Sequence, residues 1–126
     1  MSNQNRAVII KTFEQLNKAE LYEIIQLRIA VFIIEQDCPY QDLDGMDDQG
    51  LHMWIEEDGE IVSYLRINPA ATRFTEPSLG RIVTKMTYRN KGLGEILINK
   101  AIEEVCKDQP TAIRISAQSY LENYYE

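Results

Sequence analysis

The amino-acid sequence predicts a mixed α/β domain built around a strand–helix–strand unit. Three observations carry this. Two stretches, opening near Asn17 and Gly92, place apolar residues at helical spacing. Five short stretches alternate apolar with polar residues or carry β-branched runs, the pattern of strands. Their order interleaves them: strand, helix, hairpin, strand, helix, strand, then the start of a further helix.

The elements follow in turn. Arg6 to Lys11 contains Ala-Val-Ile-Ile, a short buried-strand pattern. Asn17-Lys18-Ala19-Glu20 fits a capping box, with Asn17 at the cap and Glu20 reaching back. Leu21, Ile24, Ile25, Arg28, Val31 and Phe32 then form a mostly apolar stripe, and the helix must stop before Pro39. Residues 40–50 are dense in Asp and Gly and predict a loop. Leu51, Met53 and Ile55 alternate with His52, Trp54 and Glu56, so the two sets face opposite sides of a strand. Asp58-Gly59 predicts a tight hairpin turn into a second strand over Glu60 to Ile67. Leu79 to Thr84 is the next strand. The helix from Gly92 to Cys106 presents Leu93, Leu97, Ala101 and Val105 on one face. Thr111 to Ala117 is the last strand, and the crossover favours its parallel pairing with Leu79 to Thr84.

With 126 residues the chain is the size of one domain. No apolar run approaches the ~18 residues of a membrane helix, and the polar N-terminus lacks a signal-peptide core. A cytoplasmic protein with no membrane partner is expected. The net charge of −7 argues against a nucleic-acid partner, which demands clustered Lys and Arg. Cys38 and Cys106 are far apart and form no CxxC, so two reduced thiols are expected and no metal site. The Asp42, Asp44, Asp47 and Asp48 run lacks the spacing of a calcium loop and reads best as a solvated turn.

Arg89-Asn90-Lys91-Gly92-Leu93-Gly94 is the most informative segment. It lies between a predicted strand and helix. The first N–H groups of a helix have no intrahelical partner and face a region where the dipole favours negative charge. Arg81, Lys85, Arg89 and Lys91 gather around it in an otherwise acidic chain. On these residues alone, an anion site and a bare glycine-rich helix start are equally open.

R-x-x-G-x-G in this position resembles the cofactor signature of the GNAT superfamily of N-acetyltransferases. Leu27 to Gln36, Cys38-Pro39-Tyr40, Asp42-Leu43-Asp44-Gly45, Asp47, His52, Ala117-Gln118 and Tyr124-Tyr125 are similar to its ElaA-type branch. The resemblance implies a mostly antiparallel sheet with a splayed central parallel strand pair flanked by helices, the C-terminal strands missing. It implies one acetyltransferase domain over residues 1–126, C-terminally truncated, whose open sheet edge would offer a homodimer contact. It implies direct transfer of acetyl from acetyl-CoA to a primary amine in a ternary complex. Backbone groups of Ile82, Val83 and Thr84 would hold the pantetheine arm, and Arg89, Asn90, Lys91, Gly92, Leu93 and Gly94 the pyrophosphate. Gln118 stands where the family shows an Asn seven residues before a catalytic Tyr. Tyr125 is then the general acid, with Tyr124 its competitor. Ser78 stands where many members carry a basic Glu, which leaves Glu35 as the substitute base, through water. The missing carboxylate keeps a second reading in play, a non-catalytic acyl-CoA-binding or regulatory module. The lone histidine, His52, reads as a structural hydrogen-bonding residue.

Overall fold

The computed structural model describes residues 7–35, 42–70, 76–107 and 112–115. Strand β1 (Val8–Thr12) is followed by a 3-10 turn and by helix α1 (Lys18–Arg28). A π-helical segment, Ile29–Glu35, continues α1. Strands β2 (Leu51–Glu57) and β3 (Glu60–Asn68) form a hairpin. Strand β4 (Ser78–Thr84) leads through a 3-10 turn to helix α2 (Leu93–Cys106), and β5 (Arg114–Ile115) completes the described part. The sheet has five strands in the order β1-β2-β3-β4-β5. It is antiparallel except for the β4–β5 pair, which is parallel as the crossover predicts.

Local chemistry accounts for most of this. The Glu20 N–H donates to Asn17 Oδ1 at 2.7 Å, and the Asn17 N–H to Glu20 Oε1 at 3.0 Å, which is the capping box expected at α1. Asp58 and Gly59 adopt φ of 53° and 79°, the primed-turn geometry that matches the twist of a two-residue hairpin. The predicted helix beyond Arg28 widens into π geometry instead of continuing as α. Such insertions concentrate at functional positions.

Both faces of the sheet are covered. On one, Met53, Ile55, Leu65, Leu79 and Ile82 pack against Leu93, Leu97, Ile98 and Ala101 of α2. On the other, Trp54, Ile61, Tyr64 and Val83 pack against Ile24, Leu27, Val31 and Phe32. Each such side chain contributes about 1.5–3 kcal/mol when fully buried. The second layer explains why His52 and Trp54 are buried although they alternate with the first core face. Strand periodicity separates two faces; it does not say that either one is wet.

Candidate active site

β4 carries the candidate site, and its two ends differ. At the C-terminal end the Lys85 N–H donates to Val62 O at 2.8 Å, the last bond of the strand to β3. The chain turns through Met86–Tyr88 and reaches the glycine loop. Asn90 and Gly92 both lie in the left-handed region, at φ of 65° and 77°. Gly92 is the N-cap of α2, and the first in-helix bond runs from the Ile96 N–H to Gly92 O at 3.0 Å. The amides of Leu93, Gly94 and Glu95 precede that bond, so the helix itself supplies them no acceptor. A Cβ on Gly92 would meet nothing within 4 Å. Glycine is needed here for its φ. The space above it is open, and amides at a helix start are of the kind that can hold an anion.

The cations around the loop are not pooled toward that space, as their sequence clustering suggested. Arg89 donates from Nε to Thr84 O at 3.0 Å and from its two terminal nitrogens to Glu35, at 2.5 and 2.7 Å. Lys85 pairs with Glu60. Lys91 Nζ sits 5.2 Å from the centre of the Tyr88 ring. Carboxylates arriving from the π-helical segment and from β3 have claimed two of the four cations. The Arg89 hydrogen bond holds the Glu35 carboxyl below its usual range, against a smaller opposing effect of burial. A general base needs the reverse shift. Glu35 would have to release Arg89 before accepting a proton.

The other end of β4 is built on buried charge. Tyr64 pairs with Val83 but Arg66 with Gly80, so Leu65 opposes both Arg81 and Ile82. This is a β-bulge, and Arg81 sits in it at φ 53°. A left-handed non-glycine residue costs about 1–2 kcal/mol, so something must hold it. Arg81 Nη2 donates to Asp42 O at 3.0 Å and to Asp44 Oδ2 at 3.3 Å, and its Nε lies 3.0 Å from Asp42 Oδ1. Arg28 donates to Asp42 Oδ2 at 2.9 Å, Asp42 O at 3.0 Å and Asp47 Oδ1 at 2.8 Å. Arg66 donates to both Asp44 oxygens at 3.0 and 2.8 Å and to Asp47 Oδ1 at 2.7 Å. Arg28, Arg66 and Arg81 thus balance Asp42, Asp44 and Asp47. Gly50 makes room for this: a Cβ there would stand 2.8 Å from Arg66 Cγ.

The acidic loop is therefore not the solvated turn its composition suggested. Three of its carboxylates, those of Asp42, Asp44 and Asp47, are spent on arginines, while Asp48 is exposed. Burial is the largest single effect on the Asp44 carboxyl and would raise it, but the hydrogen bonds and charge of Arg66, the Met46 N–H and the charge of Arg81 together outweigh it and hold the group well below the usual range. The same opposition lowers Asp47. His52 has the structural role expected of it. Asp47 O can only accept, so His52 Nε2 donates to it at 2.9 Å; Nδ1 then accepts from the Tyr64 hydroxyl at 2.6 Å. Burial pushes the His52 imidazole down and the Tyr64 phenol up, so both are neutral.

Of the predicted cofactor residues, Ile82 and Val83 point their side chains into opposite cores, leaving only backbone for a ligand. The Thr84 hydroxyl is 2.9 Å from that of Ser63. Ser78 is buried and accepts from Asn68 Nδ2 at 3.1 Å. β4 and the glycine loop are joined directly by the Arg89–Thr84 bond. A cavity of about 880 Å³ lies between α1, the π-helical segment and the turn that follows β4, bordered by Tyr22, Ile25, Ile34, Glu35, Lys85 and Met86. Gln118, Tyr124 and Tyr125 lie outside the described residues. The buried arginines are what sequence reasoning missed. Arg28 on an apolar helical stripe and Arg66 within an apolar strand were the available signal, because a buried cation must find carboxylates.

Comparison with known proteins matches this arrangement. A model of the acetyltransferase (GNAT) domain matches residues 10–126. A UPF0039 protein of Synechocystis is 35% identical over 115 residues, covering 90% of this chain and 75% of that protein. Protein ElaA of Escherichia coli is 34% identical over 115 residues, covering 89% of this chain and 75% of its own length. The crystal structure of E. coli ElaA superposes with a TM-score of 0.86 at 31% identity, over 95% of this chain and 83% of that one. An acyl-CoA N-acyltransferase from Pseudomonas aeruginosa superposes with a TM-score of 0.83 at 35% identity, over 94% and 84% of the two chains. With the glycine loop set between β4 and α2 as the R-x-x-G-x-G signature requires, the chain belongs to the GNAT acetyltransferase family, among relatives of the ElaA type.

Proposed function

We propose that the chain transfers an acetyl group from acetyl-CoA directly to a primary amine, both substrates being bound together. The observation that carries this reading is the helix start at Gly92. A left-handed glycine with open space at its Cβ position and first-turn amides that have no acceptor within the helix coincide at one point, just after the turn that follows β4. That is what a pyrophosphate requires. Backbone groups of Ile82, Val83 and Thr84 would hold the pantetheine arm. Arg89 to Gly94 would hold the pyrophosphate, and Gln118 would support the cofactor from the following segment. The cavity beside Glu35 has the volume of a small-molecule site.

Acetyl-CoA supplies the activated thioester. The protein's task is proton management and charge stabilisation. The amine attacks only when neutral, so a base must take its proton; Glu35, through a water, would take this duty. Tyr125 would donate a proton to the departing sulfur. A backbone N–H of β4 would stabilise charge on the carbonyl oxygen. Two observations favour a second reading, an acyl-CoA-binding module without turnover: Glu35 is engaged by Arg89, and Ser78 is sealed in a hydrogen bond with Asn68.

Calorimetry with acetyl-CoA, followed by thiol release across an amine panel, separates these. Saturable heat with release of CoA supports transfer. Heat without release on any amine supports the module. No heat at high acetyl-CoA concentration removes both. Tyr125→Phe should slow release more than it weakens binding; equal rates would discard Tyr125 as the acid.

A further inference from the structure

We propose that Arg81 is a positioning residue: tethered to Asp42 and Asp44 of the acidic loop, it holds the β4 bulge that aims the backbone of Ile82–Thr84 at the acyl thioester. The inference rests on the proposed cofactor site and goes beyond it, because it assigns the aim of that backbone to a side chain that touches no substrate.

In a regular strand, alternate residues turn their N–H and C=O groups to opposite neighbours. One inserted residue shifts that alternation for everything after it. Upstream of the bulge, Ser78 and Leu79 pair with Arg114 and Ile115 of β5. Downstream, Val83 and Thr84 resume pairing with β3 out of step with Gly80. The groups of Ile82–Thr84 that face away from β3 are therefore set by the residue at 81. That residue is not glycine, yet it is left-handed. Its guanidinium is the visible restraint, with three contacts on Asp42 and Asp44. The tether is itself fixed. Asp42 is held by Arg28 and Asp44 by Arg66, both arginines being fully buried. Loop, bulge and cofactor strand thus form one mechanical unit.

A glycine at 81 can keep φ 53° but has no tether. The test compares wild type, Arg81→Gly and Arg81→Lys, using acetyl-CoA carrying a ¹³C-labelled carbonyl. Calorimetry reads affinity, and isotope-edited infrared spectroscopy reads the bound thioester C=O stretch. In the wild type the stretch should fall below that of free acetyl-CoA, since a backbone N–H donates to the carbonyl oxygen. Arg81→Gly should bind with affinity within about threefold of wild type but lose that shift. Arg81→Lys, which keeps a cation near the two carboxylates, should fold if Arg81→Gly does not and should show a reduced shift. A purely structural role would change melting temperature and affinity together and leave the stretch of the bound fraction unaltered. A full wild-type shift in either variant overturns the inference while leaving the proposed function standing. Failure of the wild type to bind acetyl-CoA removes the proposed function and this inference with it.

Discussion

The two ends of β4 use charge in opposite ways. At the bulge end, Arg28 and Arg66 are fully buried and their carboxylate partners nearly so. At the loop end, Arg89 and Glu35 are each about a quarter exposed, and Lys85 and Glu60 more so. Buried charges cannot change partners without leaving others uncompensated, so they build structure. Exposed pairs are held weakly and can exchange. The loop end is therefore the end whose cations can change partners, and the bulge end is the frame that holds β4.

The largest test breaks the frame. Arg28→Met leaves Asp42 and Asp47 each short of a buried partner and should cost about 3–5 kcal/mol or prevent folding. Arg89→Met at the loop end should cost less than about 1 kcal/mol. Denaturant unfolding of both variants measures the contrast, and equal losses would erase it. Next, Gly92→Val forces a β-branched residue to φ 77°. About 1–2 kcal/mol of stability should go, and acetyl-CoA affinity should drop by more than tenfold because the open space is filled. Unchanged affinity in calorimetry would take the loop out of the site.

The third test uses pH. The folded-state values of His52, Asp44 and Asp47 are depressed. A depressed group binds its proton more readily in the unfolded chain, so its stabilisation is present above the unfolded value and lost as pH falls toward the folded one. His52 should therefore erode stability below about pH 6.5, and the carboxylates only below about pH 4. Melting temperatures from about pH 7.5 to 5 should decline in the wild type and decline less in His52→Gln. Parallel curves would mean that His52 is not the group responsible. The smallest effect belongs to Glu35→Gln. Stability should change by under about 1 kcal/mol, and acetyl-CoA should bind at least as tightly, because Arg89 is released. A slower transfer step in this variant would make Glu35 the base after all; an unaltered rate would leave it as the partner of Arg89 only.

Much of the frame's secondary structure was legible. The capping box at Asn17, the turn at Asp58-Gly59 and the apolar face of α2 depend on residues within a few positions of one another, and the structure shows them as expected. So was the glycine loop, because helix starts expose amides whatever surrounds them. The charges were read less well. The cluster of Arg81, Lys85, Arg89 and Lys91 is a cluster in sequence only; in space Arg81 faces the acidic loop, Lys85 meets Glu60 and Arg89 meets Glu35. The Asp-rich loop looked like a surface turn because composition carries no information about burial.

By itself, the sequence determined the order of the elements, the cap and turn chemistry, and the position of the glycine loop, since each rests on short-range geometry and hydrogen bonding. Only the tertiary structure decided which carboxylate each arginine meets. Those partners lie 14 to 54 residues apart along the chain. A charge has no preferred partner until the sheet and its two layers bring the candidates within reach. The bulge at Arg81 belongs to the same class: a left-handed arginine has no local reason to exist, and the loop across from it provides one.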